Sequence, residues 1–168
     1  MLVLLGVAAL VIYVADLVTK MLVVAGIVEG QPVYVLGDFL VFDFVRNPGA
    51  AFSLASGSTW IFSILATVVT AAIIIFARKI KSLAWAVVFG LLLGGTLGNL
   101  TDRLFREPSF GEGHVVDFIS MPWMLPAIFN VADIAIVSSM ILFVLLTIFG
   151  INIDGTRNRK EKITEEVL

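Results

Sequence analysis

"FNVADIAIVSSMILFVLLTIFG", residues 129–150, is long and apolar enough to cross a bilayer, yet it carries Asp133 within its first turn. The helix dipole favours a carboxylate at a helix start. Ser, Thr or Asn would cap the helix equally well, without the roughly 2.5–3.5 kcal/mol that an acid costs near a membrane core. Asp133 therefore calls for a chemical explanation.

The chain around it has 168 residues, of which 60% are hydrophobic and 14% charged, and its mean hydropathy of +1.06 lies far outside soluble averages. Three further apolar runs, at about residues 1–25, 59–77 and 83–100, match the ~20 residues a helix needs to cross ~30 Å of hydrocarbon. With the run at about 127–149 they predict a mainly α membrane protein, a single integral domain (1–168) of four transmembrane helices. The first run has no positive n-region and no convincing cleavage site, so it reads as a span and not as a removable signal.

Seven of the eleven basic residues fall beside just two flanks: Arg78, Lys79 and Lys81 between the second and third runs, and Arg157, Arg159, Lys160 and Lys162 after the fourth. Cytoplasmic flanks collect Lys and Arg, so both termini, including the tail 152–168, are expected in the cytoplasm. The connections at about 30–58 and 101–126 then lie on the outer face. A net charge of -2 leaves no basic surface for nucleic acid, and the absence of cysteine excludes disulfides, thiolate metal sites and a thiol nucleophile.

In the first outer connection, "QPVYVLGDFLVFDFVRN" (31–47) alternates β-branched and aromatic residues around Gly37-Asp38, the pattern of a hairpin resting on the membrane surface. In the second, Pro122 and Pro126 break "FISMPWMLPAIFN" (118–130), and Trp123 suits the headgroup level. That segment reads as re-entrant or interfacial.

Polar residues gather at the outer helix ends. Gly90, Gly94 and Gly98 recur every four positions, a ridge that lets another helix approach, and Asp102 continues the row. Gly95, Asn99 and Arg103 form the adjoining row, with Thr96 expected on a more tolerant face. Asp16 and Lys20 share a face of the first helix, as Asn130 and Asp133 do in the fourth. Asp16 with Lys20 and Asp102 with Arg103 have a plain reading as helix-end ion pairs. Asp117, inside "VVDFI", resists that reading as Asp133 does.

The chemistry is bounded by what is missing. There is one histidine, His114, read as a solvent-facing loop residue, so a metal site has no ligand set. Ser53, Ser56, Ser58 and Ser63 lie in no G-x-S-x-G elbow. Two carboxylates around a water, Asp117 and Asp133, are the best-supplied mechanism, because neighbouring acids cannot both ionise and one holds a proton to donate. A proton-coupled transporter would also carry intramembrane acids, but its acids would line a path through the midplane. A non-catalytic scaffold would need none.

Five blocks, "DLVTK" (16–20), "NPGAAFS" (47–53), "GGTLGNLTDR" (94–103), "VVDF" (115–118) and "FNVADIAI" (129–136), resemble in order the motifs of bacterial lipoprotein signal peptidases, the signal peptidase II family. The resemblance implies four spans, a small periplasmic sheet and an aspartic endopeptidase of the inner membrane whose site faces outward. It implies catalytic roles for Asp117 and Asp133. It gives positioning roles to Asn47, Gly49, Asn99, Arg103, Asn130 and Ala132, and supporting roles to Asp16, Lys20 and Asp102. It further implies substrates that are prolipoproteins cut before a diacylglyceryl-modified cysteine, inhibition by lipopeptides such as globomycin, contact with membrane lipids, a monomer, and no cofactor or metal.

The charge distribution makes its own prediction. A reporter fused after Lys81 or at Leu168 should read cytoplasmic, and one inserted near Gly111 should read periplasmic; the opposite pattern overturns the layout.

Overall fold

The computed structural model describes residues 1–49 and 59–157. Ser53, Ser56, Ser58, the end of the "NPGAAFS" block and the tail beyond Arg157 lie outside the described residues. Four long apolar helices, α1 (Leu2–Gly26), α2 (Thr59–Phe76), α3 (Leu83–Phe105) and α4 (Val131–Ile148), carry a small sheet of β1 (Val33–Tyr34), β2 (Val41–Asn47), β3 (Val115–Met121) and β4 (Leu125–Phe129). All neighbouring strands are antiparallel, in the order β1-β2-β3-β4.

Helix α3 is the axis of the bundle, packed against α1, α4 and α2, while the other three keep broad exposed apolar faces. Its glycines explain this position. A Cβ on Gly90 would lie 2.7 Å from Ala8 Cβ, and one on Gly94 would lie 2.6 Å from the Ala9 carbonyl oxygen. A Cβ on Gly95 would lie 2.6 Å from the Ala132 carbonyl oxygen. The ridge thus faces α1, and Gly95 opens the opposite side to α4. Thr96 is buried as well, so the tolerant face expected there does not exist.

The sheet packs through Phe44, Val116, Phe118 and Ile119 onto Val23, near the end of α1. Its first hairpin turns at Gly37, whose φ of 54° suits glycine. The second half differs from the expectation of a re-entrant segment. Residues 118–130 form most of β3, a turn and β4, and α3 continues to Phe105 while α4 starts only at Val131. The prolines do exclude a helix here, but Pro122 lies in the turn. Pro126 lies on edge strand β4, where a missing N–H disrupts no ladder. Trp123 stacks on Phe39 with ring centroids 4.8 Å apart and donates its Nε1–H to the Phe39 carbonyl at 2.9 Å, tying the two turns together.

The glycine contacts set an order of tolerance. Gly94→Val should lower thermal stability in detergent by about 1–3 kcal/mol, as overpacking does, whereas Gly6→Ala, where an added Cβ meets nothing within 4 Å, should leave it unchanged.

Candidate active site

Asp117 and Asp133 come together where β3 and the start of α4 meet the C-terminal half of α3. Asn47 pairs with Val115 across the β2–β3 ladder, which puts its side chain diagonally beside Asp117, two residues on. Its Nδ2 donates to Asp117 Oδ2 at 2.8 Å, while its Oδ1 accepts from Gly49 N at 3.0 Å. Asp117 Oδ1 accepts from Asn130 Nδ2 at 2.6 Å.

Asn130 is the N-cap of α4. Its Oδ1 accepts from Asp133 N at 2.9 Å, and Asp133 Oδ2 accepts from Asn130 N at 3.1 Å, a reciprocal capping box. Asp133 therefore does take part in capping, but with one oxygen only. Its Oδ1 turns to α3 and accepts from Asn99 Nδ2 at 2.8 Å.

Behind this pair lies a buried ionic cluster. Lys20 Nζ lies 2.7 Å from Asp16 Oδ2, 2.8 Å from Asp102 Oδ2 and 3.0 Å from Asn99 Oδ1. Asp16 and Lys20 are fully buried, so theirs is no solvated helix-end pair. Asp102 and Arg103 do not pair with each other. Asp102 binds Lys20, Arg106 Nε and the Val116 amide, whereas Arg103 donates to the carbonyls of Asn99 and Gly49. Adjacent residues on a helix point about 100° apart, so their side chains diverge. Arg106 was missed from sequence, although its i,i+4 spacing from Asp102 was a visible signal.

A cavity of about 410 Å³ adjoins the pair, lined by Asn47, Gly49, Asn99, Arg103, Asp117 and Asp133 on its polar side, and by Met124, Leu125, Ile128, Phe129, Ile134 and Val137 among its apolar residues. The wall from β4 was also missed, because that segment was read as re-entrant or interfacial. Ala132 does not line the cavity; it packs against Gly95 and Gly98 and donates its N–H to Asp16 Oδ1 at 2.9 Å. His114 is half-buried, and Ser63 is spent on the Gly111 carbonyl at 2.5 Å. Among the described residues no three of His, Asp and Glu converge as a metal cage.

Burial, and secondarily the charge of Asp133, push the Asp117 carboxyl up to about 7, against the opposing hydrogen bonds from Asn47 and Asn130. Asp133 sits at the N-terminus of α4 and is more exposed than Asp117. Asp117 is thus built to hold a proton near neutrality.

Comparison with known proteins places the chain among membrane aspartic peptidases. A family model described as signal peptidase (SPase) II matches residues 8–149. The lipoprotein signal peptidase of Leifsonia xyli subsp. xyli is 61% identical over 95% of this chain and 74% of its own length. That of Rhodococcus jostii is 49% identical over 95% and 79%. A bacterial membrane enzyme solved by the in meso method at 2.3 Å resolution superposes with a TM-score of 0.77 at 28% identity, covering 94% of this chain and 92% of that one. The chain belongs to the signal peptidase II family.

The hydrogen bond from Asn47 opposes the upward push on Asp117, so removing it should move the titration higher. In Asn47→Ala the Asp117 carboxyl, followed by infrared difference spectroscopy, should lose its proton at a higher pH than about 7; an unchanged or lower midpoint contradicts this account.

Proposed function

We propose that Asp117 and Asp133 are the catalytic pair of an endopeptidase that removes the signal peptide of prolipoproteins, cutting before a diacylglyceryl-modified cysteine. The observation that carries the proposal is the convergence of both acids on one cavity that is polar on one side and apolar on the other. A lipid-bearing peptide needs both kinds of wall. A transporter would need acids along a path, whereas here they share one end of the bundle.

In this mechanism Asp133 takes a proton from a water held between the carboxylates, and the water oxygen attacks the scissile carbonyl. Asp117 gives its proton to the amide nitrogen as the bond to carbon breaks, so the cysteine leaves with a neutral amine. The two acids have then exchanged protonation states, and a proton passed through solvent restores the pair. Arg103 suits the developing oxyanion. It lines the cavity, and its Nε has no hydrogen-bond partner among the described residues. Asn47 and Asn99 hold the carboxylates in place.

On this reading the site faces the outside, both termini are cytoplasmic, and a monomer suffices because one chain supplies both acids. A globomycin-type lipopeptide would occupy the same cavity.

Asn at either acid preserves size but removes proton transfer, so Asp117→Asn and Asp133→Asn should each lose about 10² to 10⁴ in cleavage rate on a lipidated substrate. The double variant should be little worse than either single one. For the unaltered enzyme kcat/KM should fall as pH rises through about 7, where Asp117 loses the proton it must donate. A folded Asp133→Asn protein cleaving at near the original rate refutes the mechanism.

A further inference from the structure

Each carboxamide around the acids has to be turned the right way, because its N–H group and its oxygen occupy nearly the same volume and only one of them can face a carboxylate. For Asn47 the turn is set by Gly49 N, and for Asn130 by Asp133 N, each donating to the carboxamide oxygen. Asn99 belongs to neither a cap nor a turn. Its oxygen receives Lys20 Nζ at 3.0 Å and Asn130 Nδ2 at 3.1 Å, and its Nδ2 reaches Asp133 Oδ1 at 2.8 Å.

We propose that Lys20 is a positioning residue for the reaction: its ammonium, held as a tripod on Asp16, Asp102 and Asn99, fixes the Asn99 carboxamide so that it donates to Asp133. This rests on the reading of Asp117 and Asp133 as the reacting pair. An ammonium has three donors and no acceptor, and here Nζ lies 2.7 Å from Asp16 Oδ2 and 2.8 Å from Asp102 Oδ2 and donates to Asn99 Oδ1 at 3.0 Å. A group that can only donate leaves Asn99 one orientation.

The anchors of the tripod are themselves fixed from other elements. Asp16 Oδ1 is held by the Ala132 amide of α4, and Asp102 by Arg106 and by the Val116 amide of β3. Asn130 Nδ2 cannot replace Lys20, because it also serves Asp117 Oδ1 at 2.6 Å and the Val116 carbonyl at 3.4 Å. A turned-over Asn99 would press its oxygen against the Asp133 carboxylate and displace it. Lys20 therefore acts on the chemistry through one intervening side chain.

The simpler role, an ion pair that only joins α1 to α3, is separable by experiment. Lys20→Met combined with Asp16→Asn removes one cation and one anion, so net charge is unchanged. Asn at position 16 still accepts from Ala132 N, and Asp102 keeps Arg106. The expected result is a folded, monodisperse protein with KM nearly unchanged on a lipidated peptide and kcat reduced about 10²-fold, the scale of a misplaced reacting group. A folded double variant with wild-type kcat overturns the proposal, as does one whose loss lies only in KM.

Two further variants keep the test decisive if the double variant does not fold. Lys20→Arg retains a donor-only cation, whereas Lys20→Gln offers an acceptor beside its donors, so kcat should be higher for Arg than for Gln. Equal values overturn the proposal. Asp133→Asn measured in parallel separates the two readings: if it stays active, the catalytic assignment fails, and if it is inactive while the Lys20 variants cleave normally, only the positioning role fails.

Discussion

Helix α3 lies against α1 at a distance that only glycine permits, and the polar chemistry of the molecule depends on that approach. With Gly90 and Gly94 against Leu5, Ala8 and Ala9, the row continues to Gly98, where the next object met is the Asp16 carboxylate. Close approach brings Lys20 of α1 within reach of Asn99 and Asp102 of α3, and Gly95 admits the start of α4 on the other side. A side chain anywhere on this ridge would separate helices and, through them, the charged groups. Packing and electrostatics are here one constraint.

Within the site, the same device occurs three times. A donor grips the oxygen of Asn47, Asn99 or Asn130, and the NH₂ group is thereby aimed at a carboxylate. Burial alone would make a pair of neighbouring acids hard to ionise, and these donors offset part of that cost. The two acids stay unequal because Asp117 sits deep on a strand while Asp133 sits at a helix N-terminus with a more exposed side chain. An environment that separates two chemically identical groups is what acid–base catalysis requires.

The four spans were legible in the sequence because length and apolarity alone specify them. Gly90, Gly94 and Gly98 were legible as a ridge because their spacing matches the helical repeat. Asp117 and Asp133 could be singled out because an acid in an apolar run is costly. The β3–β4 hairpin was not legible. Its two prolines argued against regular structure, and only the partner strand β2, far away in sequence, reveals that one of them sits on an edge. The joining of Asp16–Lys20 to Asp102 was also out of reach, since spacing shows which residues share a helix face but not which two faces meet.

The sheet draws β1 and β2 from the connection between α1 and α2 and β3 and β4 from that between α3 and α4, and its last strand runs directly into α4. In the order of synthesis, Asn47 emerges early, Asn99 and Arg103 follow on α3, and Asp133 is delivered only with the last span. The constellation is thus complete only with the last span: before α4 is in place, Asp117 has neither Asn130 nor Asp133 beside it. On the proposed reading of the two acids, a chain made in this order stays silent until its final helix has entered the bilayer.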